Sequence, residues 1–470
     1  MTGLTPQRSE ERDALAAATQ AVRGATRASA LHAKRATLLA ALEVRAHAVE
    51  ALREALALER GRPEDMEALG FAAFALNEHH LARNSYAAVV ELAPGDALAW
   101  YNLASAERNV GRLDAAEMAC DQALALDGAL FQAELLRSQL RLQTPARNHV
   151  DSLQAKLRRA GGMAPAEIFL NYALGKELDD LGAFAEAFAH FERGAAARRR
   201  ALDYSVSRDA GNLMRIIEAY PREWFAKLRP REDDAQDGFI VGLPRSGTTL
   251  VERVLTGLPG VRSNGETDNF ARALMAAVPA GPGDVFSRAT QAAPSQIARD
   301  YRRLAGDAAA GGLLLEKMPL NYLYLGAITA ALPGAKLLLM TRDPLDNCFA
   351  MFSTLFGAGY PFSYSLSDLA EYYRAYARLI EHWKTCLGEI LLEVSYEAFV
   401  QDPERLGPVV AEHAGRTWAR ESLAIEKNPT ASATASAAQV RRPIYQSAIG
   451  RWRNYADQLA PLQKALSARG

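Results

Sequence analysis

The chain has 470 residues, 49% of them hydrophobic, and a formal net charge of -1. That length allows two or three domains with full cores, and the charge balance gives no reason to expect a general binder of nucleic acid or anionic membranes. Cys120, Cys348 and Cys386 show no paired spacing, the first residues lack the basic and apolar regions of a signal peptide, and no apolar run approaches the roughly 20 residues of a membrane helix, so a cytoplasmic protein without a membrane partner is expected.

Residues 9–57 are rich in Ala, Leu, Arg and Glu, with no proline and only Gly24 as a breaker, which predicts long helices. A periodic stretch follows. Leu69-Gly70, Ala82, Tyr86 and Pro94 correspond, 34 residues on, to Leu103-Ala104, Ala116, Cys120 and Gly128, while Trp100 and Gly111 fall at aromatic and turn positions. Leu174-Gly175, Gly182, Ala187 and Phe191 repeat the pattern, and residues 131–164, with Pro145 and Gly161-Gly162, are a degenerate copy. The period and the small residues resemble the tetratricopeptide repeat over about residues 30–200. The resemblance implies four or five repeats forming an all-α solenoid, whose concave face holds a peptide or protein partner. The run RGAAARRR at 193–200 reads as a solvated helix end. REDDAQD at 231–237 reads as a polar linker, dividing a helical domain, 1–230, from a second domain, 236–470.

The second domain opens on GFIVGLPRSGTTL at 238–250. Phe239, Ile240 and Val241 form a buried-strand pattern, the small-residue loop Gly242 to Thr249 follows, and a helix begins near Leu250. Glycines that admit close backbone approach and a helix N-terminus suit a phosphate. The spacing G-x-x-x-x-G fits a nucleotide-binding loop, but Thr248 stands where the lysine that reaches a triphosphate belongs. Arg245 supplies positive charge instead, beside the hydroxyls of Ser246, Thr248 and Thr249.

Strand patterns at 313–315, 336–340 and 390–394, with a helix expected over 321–332, predict a parallel sheet covered by helices. Arg342 follows one strand just before Pro344, well placed for bidentate contact with a phosphate. The segment QVRRPIYQSAIGRWRNY at 439–455 adds basic and aromatic residues. No cluster of His, Cys, Asp or Glu has metal-ligand spacing.

The run Pro244, Arg245, Ser246, Gly247, Thr248, Thr249 resembles the 5′-phosphosulfate loop of sulfotransferases that use 3′-phosphoadenosine 5′-phosphosulfate, PAPS. Arg342 falls in a stretch similar to that family's 3′-phosphate motif, which adds a serine where this chain has Ala350; Ser353 lies one helical turn on. Ser436, Arg451 and Trp452 match positions that close over the nucleotide. Over residues 236–460 the chain resembles the tyrosylprotein sulfotransferase branch, especially bacterial proteins with repeats at the N-terminus. The resemblance implies an α/β domain with a P-loop-like parallel sheet, PAPS as co-substrate without a metal, and a peptide or protein tyrosine as acceptor.

Sulfuryl transfer needs a base for the acceptor hydroxyl and positive charge on the leaving oxygen. No histidine lies between His190 and His382, a stretch containing the loop and Arg342. Glu266 matches the family's catalytic glutamate and is the expected base, with Asp268 its nearest rival. Lys317 matches the lysine beside the sulfate and shares with Arg245 the stabilisation of the leaving group. A P-loop kinase and a repeat-based interaction protein with a degenerate catalytic domain are the alternatives.

Overall fold

The computed structural model describes residues 45–57, 61–228, 237–306, 311–357 and 359–467, together with residue 17. The parts of the expected helices at residues 9–16 and 18–44 and the linker residues 231–236 lie outside these. Asp237, read as the end of that linker, is the first residue of a strand and is buried.

From Arg45–Ala57 onward the chain is helical. Pro63–Ala75 pairs with His79–Leu92, Ala97–Val110 with Leu113–Leu126, and Ala164–Asp180 with Phe184–Arg200, while Phe131–Gln139 packs on Leu113–Leu126 and Val150–Arg159 on Ala164–Asp180. The repeat positions have a packing cause. A Cβ on Gly70 would lie 2.7 Å from the Tyr86 ring, and one on Gly175 would lie 2.6 Å from the Phe191 ring. At the equivalent place in the next pair the first helix carries Ala104 and the second the smaller Cys120, both fully buried, so volume is exchanged across the crossing. Local punctuation fits the pattern: the Asp96 carboxylate accepts the N–H groups of Leu98 (2.8 Å) and Ala99 (3.2 Å), capping its helix, and Trp100 Nε1 donates to the Pro94 carbonyl at 2.9 Å. Between the helices of the degenerate copy, Thr144 and Arg147 bridge across Pro145.

Gly175→Ala is expected to destabilise the protein by about 1–2 kcal/mol in denaturant unfolding, since overpacking a filled core outweighs the gain of about 1 kcal/mol in helix propensity. The clash involves Phe191 Cγ at 2.9 Å, near the root of the side chain, so the ring cannot swing clear. Gly128→Ala is the control. Its Cβ would meet only the Leu124 carbonyl at 3.9 Å, so the change should be neutral or slightly stabilising.

By their contacts the described residues form two compact units, and the division does not fall at 231–237. One comprises residues up to Leu140 with short stretches at 302–306 and 429–433; the other begins at Arg141 and holds most of the remainder. In this second unit the helices Ala164–Asp180 and Phe184–Arg200 pack on Pro344–Phe352. Tyr172 donates to the Phe352 carbonyl at 3.3 Å, Phe188 stacks on Phe352 at 5.6 Å, and Phe191 meets Phe349 edge-on at 6.4 Å. The arginine run is not merely a solvated helix end. Arg198 donates to the Gly357 carbonyl (2.8 Å), and Arg199 to Asp368 (2.8 Å) and the Tyr204 carbonyl (2.9 Å).

The same unit contains five parallel strands, β1 (Asp237–Gly242), β2 (Val261–Ser263), β3 (Leu313–Glu316), β4 (Lys336–Thr341) and β5 (Leu391–Ser395), in the order β2-β3-β1-β4-β5. β1 and β3 are buried throughout, which is why they read as continuous apolar runs. β2 was not foreseen. The helix expected over 321–332 is split into a 3₁₀ segment, Pro319–Tyr324, and a helix, Leu325–Ala331. From β1 the chain runs outward to β2, returns to β3 and then crosses to β4 on the other side of β1. In open parallel sheets such a reversal marks the place, beyond the carboxyl ends of the strands, where ligands bind.

Candidate active site

β1 ends at Gly242, whose φ of 146° and lack of a side chain are both required: a Cβ there would lie 2.4 Å from the Met340 carbonyl oxygen of β4. The chain then turns through Arg245, held in the left-handed region at φ 67°, into the helix Thr248–Thr256. No side chain caps that helix, so its first N–H groups and the positive end of its dipole are left for an anion. Ser246, Thr248 and Thr249 are buried. Thr249 Oγ1 meets Thr434 Oγ1 at 3.4 Å, whereas Ser246 Oγ has no partner. Arg245 donates to Ser436 Oγ and, at 2.6 Å, to Gln439 Oε1, while its Nε has no partner. Burial pulls its pKa below the usual arginine value.

Register brings the second basic residue here. Gly242 pairs with Met340, so Arg342, two residues further on, lies beside the loop after β1. Its Nη1 donates to the Arg245 carbonyl at 3.0 Å and its Nη2 to that of Ala448 at 2.7 Å, and its guanidinium lies 4.8 Å from the centre of the Tyr396 ring. Asp343 caps the helix Pro344–Phe352, accepting from Leu345 and Asp346 N–H groups at 3.0 Å. Asn347 on that helix donates to the Pro244 carbonyl at 2.8 Å, and Asp346 accepts the N–H groups of Gly450 and Trp452. The 450–455 turn is thereby tied to the helix after β4. Ser353 Oγ points at the Ala350 carbonyl, at 3.5 Å.

The third pair is set by β2 and β3. Ser263 pairs with Leu315, and the ladder continues past the strands as Asn264 N–H donates to the Leu315 carbonyl (2.9 Å) and Lys317 N–H to that of Gly265 (3.0 Å). Glu266 and Lys317 are thus brought side by side. Lys317 is fully buried, its Nζ donating to Glu266 Oε1 and lying 3.8 Å from Glu252 Oε2. Glu266 keeps 34% of its side chain exposed, so the carboxylate faces both the buried ammonium and solvent, and its charge acts on Arg245. Asp268 is 66% exposed and pairs with Arg272 at 3.7 Å.

Several residues escaped the sequence reading. Glu252, on the helix after the loop, accepts from Ser263 Oγ at 2.5 Å and stands behind Lys317; burial pushes its carboxyl above the usual range. Glu316 is pushed up to about 7 by burial and accepts from Asn321 Nδ2 at 2.8 Å. Gln439 and Asp346 have no local signal either. An acidic residue inside an otherwise apolar helix or strand, such as Glu252 or Glu316, is the one cue the chain offers.

Residues 239–420 match the family model described as "Sulfotransferase family", and residues 97–129 match that of a tetratricopeptide repeat. The sheet-bearing part is therefore a sulfotransferase domain. A protein of Aquifex aeolicus (strain VF5), described as uncharacterized, is 25% identical over 311 residues, 63% of this chain and 41% of its own length. A putative protein-tyrosine sulfotransferase of Caenorhabditis briggsae is 29% identical over 178 residues, 35% of this chain. The chain thus spans 41% and 60% of the lengths of these relatives. Among solved structures, the sulfotransferase domain of the Synechococcus PCC 7002 olefin synthase aligns over 51% of this chain and 98% of its own, with TM-score 0.36 and 19% identity. A Mycobacterium avium sulfotransferase covers 67% and 96%, with TM-score 0.27 and 14% identity. Among the described residues no group of His, Cys, Asp and Glu could hold a metal ion, and no helix is long and apolar enough to cross a membrane.

Proposed function

We propose that this protein is a sulfotransferase that takes PAPS as donor and a tyrosine hydroxyl of a peptide or protein as acceptor, working in a reducing compartment. The observation that carries the reading is the Glu266–Lys317 pair at the ends of β2 and β3, within electrostatic reach of the Arg245 loop. Bound there, PAPS supplies an activated sulfuryl group. The residues present fit it: the buried Ser246 Oγ and the Nε atoms of Arg245 and Arg342 lack partners, and the helix N-terminus behind the loop is uncapped. Pro244 to Thr249 and Arg342 would hold the phosphates, with Ser436, Arg451 and Trp452 closing over them.

Glu266, partly exposed, accepts the proton of the acceptor hydroxyl at its carboxylate. Lys317 and Arg245 provide positive charge where the leaving oxygen gains negative charge, and the burial of Lys317 strengthens that effect. The repeat match and the name of the Caenorhabditis relative support a polypeptide acceptor held by the helical part. The three free cysteines support the compartment.

Calorimetric titration tests the donor site. Adenosine 3′,5′-bisphosphate is expected to bind well, and AMP and ATP poorly; equal affinity for AMP would remove the 3′-phosphate assignment, and preference for ATP would favour a kinase. With the Ser353 hydroxyl turned toward the Ala350 carbonyl, Ala350→Ser is expected to tighten bisphosphate binding by about 0.5–1.5 kcal/mol, the net worth of one hydrogen bond. Unchanged affinity in that titration would mean another donor already serves the phosphate.

A further inference from the structure

Two carboxylates pin the turn that carries Arg451 and Trp452. From the sheet side, Asp346 accepts the N–H groups of Gly450 at 2.5 Å and Trp452 at 2.8 Å. From the helical side, Asp179, in the last turn of Ala164–Asp180, holds the Arg451 guanidinium through Oδ2 and takes the Tyr455 hydroxyl on Oδ1 at 2.5 Å. The Tyr455 ring is fully buried among Phe349, Phe184 and Phe188, with centroids at 4.1, 5.5 and 6.1 Å. Asp179 is 7% exposed and Arg451 39%, so a fixed carboxylate holds a guanidinium that reaches the surface. Asp179 meets Nη2 of Arg451, and a guanidinium offers five N–H donors, so Nε and Nη1 remain for an anion. Arg451 lies three residues beyond Ala448, whose carbonyl receives Arg342.

We propose that Asp179, on a repeat-type helix of the chain, is a positioning residue for the nucleotide, holding Arg451 in place on the turn that follows the Ala448 carbonyl bound by Arg342. The proposal rests on the donor reading above. It assigns to the helical part a share in the donor site, in addition to any part in acceptor binding. The sign of one substitution is decisive. If Asp179 merely offset the charge of Arg451, removing its charge would strengthen anion binding; if it orients Arg451, removal weakens binding, because the freed arginine must be ordered again by the ligand.

Titration of the full chain with adenosine 3′,5′-bisphosphate tests this. Asp179→Asn is expected to weaken binding about tenfold, the order carried by partners that orient ligand-contacting groups, and to raise KM for PAPS with kcat at saturating donor little changed. In an Arg451→Ala background the same change should cost nothing further, and Asp179→Glu should restore part of the loss. Unchanged or tighter binding by Asp179→Asn, or an equal loss with and without Arg451, would overturn the proposal. Should Asp179→Asn fail to fold, Tyr455→Phe keeps both charges while removing one bond to Asp179; it should also weaken binding, and unchanged affinity there would overturn the proposal equally. A wild-type chain that does not bind the bisphosphate at all would instead remove the donor reading itself.

Discussion

Glu266→Gln is expected to lower kcat by roughly 10²–10⁴, the usual contribution of a general base, with little change in affinity for adenosine 3′,5′-bisphosphate. The amide keeps the shape of the carboxylate and can still accept from Lys317 Nζ through its oxygen, so the pair at the ends of β2 and β3 is disturbed mainly in its ability to take a proton. Steady-state rates with a saturating donor measure the effect. Near-normal kcat in this variant together with inactivity of Asp268→Asn would move the base by two residues. Lys317 is a less clean probe. Its loss would strand buried Glu252, so Lys317→Ala should lower stability along with turnover.

A chain cut to begin at residue 234 is expected not to fold. The polar run at 231–237 invites a cut there, but the second compact unit begins at Arg141. The cut removes Tyr172, Phe184, Phe188, Phe191 and Tyr220, which pack against Phe349, Phe352, Tyr455 and Trp383. Exposing a large buried apolar side chain costs about 1.5–3 kcal/mol, so uncovering these four costs on the order of 6–12 kcal/mol. That is comparable to the entire stability of an ordinary domain, about 5–15 kcal/mol. Soluble yield and a thermal melt decide the matter, with a chain beginning at residue 141 as the comparison. A stable product starting at 234 that binds the bisphosphate like the full chain would show that these helices are dispensable.

How much of this was legible in the sequence depends on how local each cause is. The loop after β1 is a strand pattern, a glycine spacing and a helix start within 13 residues, and Arg342 follows an apolar run whose burial alone marks it as a strand. Gly70 and Gly175 were readable because each is fixed by a ring 16 residues on, inside one helix pair. β2 was not readable: Val261–Ser263 has three residues and one buried side chain, too short for any periodicity to register. Yet β2 supplies the register that puts Glu266 against Lys317, a pairing for which resemblance had to stand in. Asp179 and Tyr455, 276 residues apart, have no local signature. The arginines at 198 and 199 look like solvated charge until their partners at 357 and 368 are known.

Transfer itself is the most direct test. The full chain, incubated with PAPS labelled in the sulfuryl group and a protein extract of its source, is expected to label polypeptides at tyrosine, with the label reduced to background by Glu266→Gln. Absence of labelled product above that background, from a chain that binds adenosine 3′,5′-bisphosphate, would contradict the account.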